Sequence, residues 1–401
     1  MRIAGTGCCL VDLIYPSVDF SSDAFGVLRS KVEGDGGLVP GGLVFAGDAE
    51  RFASRAGRRG LADVLAGLGC AEAAAENVGG PSVVSLVHAA QMLEGEDASV
   101  SFHGAVGDDE SGRMLRGLLA RTPLDASRLE TRPGRTPSTY VLSDPAWDGG
   151  RGERCFVNDI GTAEHYAPAE LGDDFLGADL VAFGGTALVP AVHDGLPGLL
   201  AAARSRGALT VVNTVFDFRA ERRSPGRAWP LGGVAPGPGP AASYNACDLL
   251  VMDRDEALRL SGERSLEAST RFFASSGVGA FAITRGGEPV LAWSGGGRFA
   301  PLGPAELPVL EVDASARASG DTTGCGDAFA GGLVAALALQ MESGAGRDLD
   351  LADAVSWGIA AGAFTLGILG GVYYEPRPGE KRRLVAALRD EWLERRARSR
   401  L

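Results

Sequence analysis

The chain has 401 residues, 45% hydrophobic and 22% charged, with 59 glycines: the balance of a globular protein of one large α/β domain or two ordinary ones. Its formal net charge of −13 argues against a nucleic-acid surface, which needs clustered Lys and Arg. No apolar run is long enough to span a bilayer, so no membrane partner is expected. The first segment, RIAGTGCCLVDLIY, has one Arg and an apolar stretch broken by Asp12; it predicts a buried strand ending near Asp12 rather than a signal peptide. Cys8, Cys9, Cys70, Cys155, Cys247 and Cys325 show no metal-ligand spacing and predict free thiols in a reducing cytoplasm. The four histidines are scattered, which argues against zinc. Lys31 and Lys381 are the only lysines, so a phosphate clamp would have to use Arg, backbone N–H groups or a metal.

Residues 21–76 are Gly-rich and polar, with one helix-like piece, DVLAGLGCAEAAA. GGPSVVSLVHAAQML predicts a helix from Pro81, VSFHGAVG a strand, and DDESGRMLRGLLA a helix with acids in its first turn. STYVLSD and ERCFVND alternate around a Gly-rich turn and predict a hairpin exposed on one side. Apolar strands then alternate with helices: DLVAFGG, PGLLAAARSRG, LTVVNTV, DLLVMD, RDEALRLSG, SLEASTRFFASSG and AFAITRGG. That order predicts a parallel sheet covered on both faces. A Pro/Gly-rich stretch, residues 225–243, interrupts it. Two apolar helices follow from Ala328, and the tail from Glu380 reads as a solvated outer helix. There is no internal repeat.

The densest chemistry lies in SGDTTGCGDAF, residues 319–329. It is no Walker loop, having Cys325-Gly326-Asp327 where Gly-Lys-Ser would stand, and GTGCCL offers only two glycines of a dinucleotide fingerprint. What remains is a glycine turn into a helix beginning near Asp327 or Ala328, whose free N–H groups would hold an anion. Asp is a good helix N-cap. Three glycines and a second acid around it fit a different need: donors that neutralise a moving phosphoryl group beside a carboxylate that accepts a hydroxyl proton.

DTTGCGDAF resembles the C-terminal signature of the ribokinase-like (PfkB) carbohydrate kinases, usually DTxGAGDxF. GGPSVVSLVHAAQML with FHGAVGDDESG is similar to the N-terminal signature. GTGCCLVDLI resembles the opening strand with its substrate-holding aspartate, DRDEALRLSG the N-x-x-E segment, and AITRGGEPVL the T-x-G-x-x-G strand. The matches run in order over nearly the whole chain.

The resemblance implies an α/β fold with a central, mostly parallel sheet flanked by helices and a small β-sheet lid. A single kinase domain would cover residues 1–401, with lid elements at 13–50 and 135–160 and insertions at 21–76 and 219–248. It implies ATP-dependent phosphorylation of a primary alcohol on a sugar or sugar-like molecule. Asp327 would be the base, and Gly324, Cys325 and Gly326 the anion hole. Asp12, Asn77, Gly79 and Gly80 would bind the substrate, and Thr284, Arg285, Gly286 and Gly287 the nucleotide. Glu256 and Asp253 would hold Mg²⁺ through water, and Asp321 and Thr323 a monovalent cation such as K⁺. Members with shared lids also admit a homodimer. The chain departs from the pattern at Asp253, where Asn is usual, at Cys325 for Ala, and at Val84, where sugar-binding members often carry Asn. Arg154 on the hairpin could reach an anionic substrate. The rivals are a nucleoside kinase of the same family and a non-catalytic sugar-binding protein on the same fold.

Overall fold

The computed structural model describes residues 1–32, 34–70, 72–150, 152–233, 241–311, 322–344, 348–368 and 370–398. Seven parallel strands make up most of a large sheet. In spatial order they are β6 (Asp125–Arg132), β5 (Ser99–Gly107), β1 (Arg2–Gly7), β9 (Leu180–Gly184), β10 (Leu209–Asn213), β11 (Leu249–Asp253) and β12 (Ala280–Arg285). Two antiparallel strands, β13 (Glu288–Ser294) and β14 (Leu302–Leu307), finish one edge. The inner strands alternate between two apolar layers, which is why they read as continuous apolar runs. Along β12, Ala280 and Ala282 face one layer while Phe281 and Ile283 face the other. The small side chains lie under helices Pro81–Met92, Cys325–Glu342 and Leu351–Thr365; the large ones meet helices Pro190–Ser205 and Leu266–Ser276. Full burial of a side chain such as Phe281 contributes roughly 1.5–3 kcal/mol.

The second sheet has five strands, ordered β3 (Leu43–Phe45), β8 (Glu153–Asp159), β7 (Ser138–Asp144), β2 (Leu10–Tyr15) and β4 (Ala75–Gly79). The α/β class with its large mostly parallel sheet and small second sheet is as expected. Residues 21–76 pack helices Ala46–Ser54 and Leu61–Gly67 on one face of the small sheet, around Tyr15, Leu142, Cys155 and Val157.

Several elements differ from the sequence reading. RIAGTGCCLVDLIY is two strands, not one ending near Asp12: the chain leaves the large sheet at Gly7 and enters the small sheet at Leu10, so Asp12 is mid-strand. The helix expected through residues 63–75 stops at Gly67, and Ala75 begins β4, where pairing with β2 overrides alanine's helix preference. The glycine-loop helix begins at Cys325 rather than at Asp327 or Ala328. Its N-cap is Gly324, so Asp327 is a first-turn residue and not the cap. The tail helix Glu380–Arg398 buries Lys381, Val385 and Trp392 and is solvated on one side only. Strand β6 lacked an apolar run because Leu129 is its one buried residue.

Candidate active site

Strand order places the site. β1 is followed outward by β5 and β6 on one side and by β9 to β12 on the other, so the connections diverge at the C-terminal ends of β1 and β9. A crevice opens at such a point in an open parallel sheet. The small sheet hangs from the end of β1, one residue pair beyond Gly7, where the Cys8 N–H donates to the Gly184 carbonyl at 2.9 Å.

Residues paired across neighbouring strands share a face. Asn77, Asp12, Thr139, Asn158 and Phe45 are consecutive partners across β4, β2, β7, β8 and β3, and so make one row. The Asn158 amide donates to the Thr139 hydroxyl at 2.9 Å. The other face carries Leu13, Tyr15, Tyr140 and Leu142, covered by residues 21–76. Gly79 lies beside this row, where a Cβ would meet the Asp12 carboxylate and make it turn aside. Thr139 and Asn158 were missed from sequence; alternation in STYVLSD and CFVND was the available signal, but it does not say which face is covered.

Opposite the row stands the start of helix Cys325–Glu342. Gly324 has φ +75°, a left-handed backbone that only glycine adopts at low cost. Its carbonyl accepts from the Ala328 N–H at 2.7 Å, and the first-turn amides of Cys325, Gly326 and Asp327 lie at the positive end of the helix dipole. Asp327 keeps a little accessible surface, yet burial pushes its carboxyl up to about 7. The Cys8 thiol is raised by burial and then by Cys9, Asp12 and Asp327, so both aspartates lie within electrostatic reach of one side chain.

Glu256 completes the acidic floor. Asp253 caps helix Arg254–Ser261: its side chain accepts from the Glu256 N–H at 2.8 Å, and Glu256 returns the bond to the Asp253 N–H at 3.0 Å. Asp in place of Asn therefore preserves the cap. The Thr214 hydroxyl donates to Glu256 at 2.7 Å, a partner no local motif announced. Burial and the Asp253 charge push Glu256 up to about 7, with Asp327 adding to the rise; burial raises Asp253 as well.

Arg154, on β8, donates to the Thr323 hydroxyl at 3.0 Å and so joins the small sheet to the glycine loop. Asn77 lies beside Gly370, and Val84 beside Gly371. Thr284 ends β12, and Gly286 and Gly287 turn into β13. Arg285 points away from the floor: it donates to the Pro289 carbonyl at 2.5 Å and to Glu306 at 2.9 Å. Asp321 lies outside the described residues. Among the described residues no group of three or more His, Cys, Asp or Glu could hold a metal unaided, and no helix is long and apolar enough to cross a membrane. All six cysteines are free.

A parallel sheet with a small sheet at its switch point and carboxylates at the ends of its strands is the arrangement of a small-molecule binding crevice. The model of the pfkB family of carbohydrate kinases matches residues 71–376, and the chain belongs to that family. Among solved structures, adenosine kinase from Sinorhizobium meliloti superposes with a TM-score of 0.65 at 18% identity, covering 97% of this chain and 99% of that one. Arabidopsis thaliana ribokinase complexed with ribose and ATP gives 0.62 at 15%, covering 97% and 98%. A putative ribokinase II from E. coli in complex with ATP and Mg²⁺ gives 0.60 at 14%, covering 98% and 99%. At these identities the likeness is one of fold. No curated protein sequence matches the chain.

Proposed function

We propose that the protein transfers the γ-phosphoryl group of ATP to a primary hydroxyl of a sugar-like acceptor lying between the polar row and the glycine loop. The observation that carries this reading is Asp327: a carboxylate in the first turn of the glycine-loop helix, raised to about 7 by burial, whose charge, with that of Asp12, reaches the Cys8 thiol in the link between the two sheets. A base of that pKa is half deprotonated near neutral pH and can take a hydroxyl proton as the oxygen attacks. The P–O bond to ADP breaks in line, and the Gly324, Cys325 and Gly326 amides receive the charge on the moving phosphoryl. Asp12, Asn77, Thr139 and Asn158 orient the acceptor's hydroxyls, with Gly79 and Gly80 giving close approach. Arg154 brings a cation to the loop that has no lysine. Thr284, Gly286 and Gly287 line the nucleotide's place at the end of β12; Arg285, held by Glu306, contributes through the strand edge.

The residues present fit Mg²⁺ held through water. Glu256 is buried and raised by burial and then by the Asp253 charge, Asp253 stands beside it at the exposed strand end, and Mg²⁺ needs only one or two carboxylates besides nucleotide phosphates. When bound, the ion would neutralise charge on those phosphates. A monovalent cation would draw on the Asp321 and Thr323 carbonyls.

One observation favours a nucleoside among such acceptors. The polar row ends at Phe45, whose ring meets Phe218 at 5.4 Å, and Phe216 lies 4.6 Å from Phe218. Phe45 is about 10 Å beyond Thr139, two strand spacings, the reach of a planar base attached to a sugar. The test is an assay with ATP and Mg²⁺ across sugars, polyols and nucleosides. Transfer to at least one is expected; tight binding of an acceptor with no transfer to any would make this a non-catalytic sugar-binding protein.

A further inference from the structure

One charged side chain has no part in that mechanism. Lys381, one of two lysines in a chain whose other cations are Arg, is fully buried at the start of helix Glu380–Arg398. Desolvation holds its amine well below the ordinary lysine value, and such burial is tolerated only where the donors are taken up. The amine donates to Nδ1 of His88 and, at 2.9 Å, to Oε1 of Gln91. With Nδ1 accepting, the His88 proton is assigned to Nε2, which donates to the Gly371 carbonyl at 2.7 Å. Gln91 turns its amide nitrogen to the Tyr373 carbonyl at 2.5 Å. One amine thus fixes two backbone carbonyls through two relays.

The stretch so held is the floor under the glycine loop. A methyl on Gly324 would lie 2.5 Å from the Gly371 Cα, and one on Gly370 would lie 2.5 Å from the Asn77 amide nitrogen. We propose that Lys381, acting through His88 and Gln91, is a positioning residue that sets the 370–373 floor against Gly324 and Asn77 and so aligns the anion-holding amides. A guanidinium is too broad to serve one imidazole and one amide in a closed space, which accounts for a lysine here. The inference rests on the kinase reading for its activity readout but not for its binding readout.

The test compares Lys381→Met with the all-apolar triple variant His88→Leu, Gln91→Met, Lys381→Met. Removing one partner leaves buried polar groups unmatched, whereas replacing all three restores apolar packing. Expected for the triple variant are a Tm near wild type and a kcat about 30-fold down, with KM for ATP within about threefold. Its affinity for tungstate, a phosphate mimic, should fall about tenfold by calorimetry. Recovery of kcat and tungstate affinity together with Tm would reduce the cluster to packing and overturn the proposal. Should the triple variant not fold, His88→Gln, which keeps an acceptor and a donor, is set against His88→Leu. Gln retaining kcat and tungstate binding while Leu loses both supports positioning; equal values overturn it. Wild-type protein inactive on every acceptor defeats the kinase reading and leaves the tungstate comparison to decide this one.

Discussion

The two sheets treat their faces differently. Both faces of the large sheet are sealed by apolar layers, and its candidate site residues Asp253 and Thr284 stand at strand ends. The small sheet seals one face with residues 21–76 and leaves the other as a polar row from Asn77 to Asn158. A sealed sheet supplies rigid points; the other face of the small sheet supplies polar groups, of which Thr139 and Asn158 are themselves buried. Under the proposed function, recognition of the acceptor would fall to the second and transfer to the first.

The comparison breaks hardest at Asp327. Asp327→Asn is expected to lower kcat about a thousandfold while nucleotide affinity stays within about twofold, measured by steady-state kinetics and calorimetry. Unchanged turnover would remove the base. In the wild type kcat/KM should rise with pH to a plateau above about 7, the value burial gives this carboxyl. The sign for stability is opposite. A carboxyl whose folded pKa is raised contributes its full stability below the unfolded value of about 4 and loses it progressively as pH rises to about 7. The Tm of Asp327→Asn relative to wild type should therefore grow between about pH 4 and pH 7 and level off above.

Next in size is the loop itself. Gly324→Ala places a methyl against Gly371 in a left-handed backbone, and kcat should fall about a hundredfold. Retention of wild-type kcat would mean that the amide geometry is not required.

The small sheet is then split by face. Thr139→Val with Asn158→Leu should raise KM for the acceptor about tenfold, each lost hydrogen bond being worth about 1 kcal/mol, with Tm little changed. Leu142→Ala, on the sealed face, should cost about 2–5 kcal/mol in denaturant unfolding without altering KM. The reverse pattern would mean that the faces have been assigned the wrong way round.

The smallest effect is expected at the seam between the two insertions. Arg222, on helix Phe218–Arg223, pairs with Asp48 and lies 5.3 Å over the Phe45 ring. Arg222→Ala should raise acceptor KM about threefold, an exposed pair contributing at most about 1 kcal/mol. No change would show that the small sheet needs no fastening there.

The chemistry was legible wherever local sequence dictates local geometry. Gly324 to Asp327 had to be a turn into a helix, because three glycines and an acid before an apolar run permit little else. Asp253 and Glu256 announced a cap by their spacing, and the parallel sheet followed from apolar runs alternating with helices. RIAGTGCCLVDLIY was misread as one strand because its apolarity is continuous while its partners change from β5 and β9 to β4 and β7. Thr139 and Asn158, Arg154 against Thr323, and Lys381 against His88 join residues 19 to 293 positions apart. The sequence by itself determined the repeating elements, the caps and the glycine loop, since these depend on neighbours within one turn or strand. Only the tertiary structure decided which face of the small sheet is sealed, which cations reach the loop, and that a lysine lies buried beneath it. Those outcomes depend on what packs across the sheet, and periodicity carries no record of that partner.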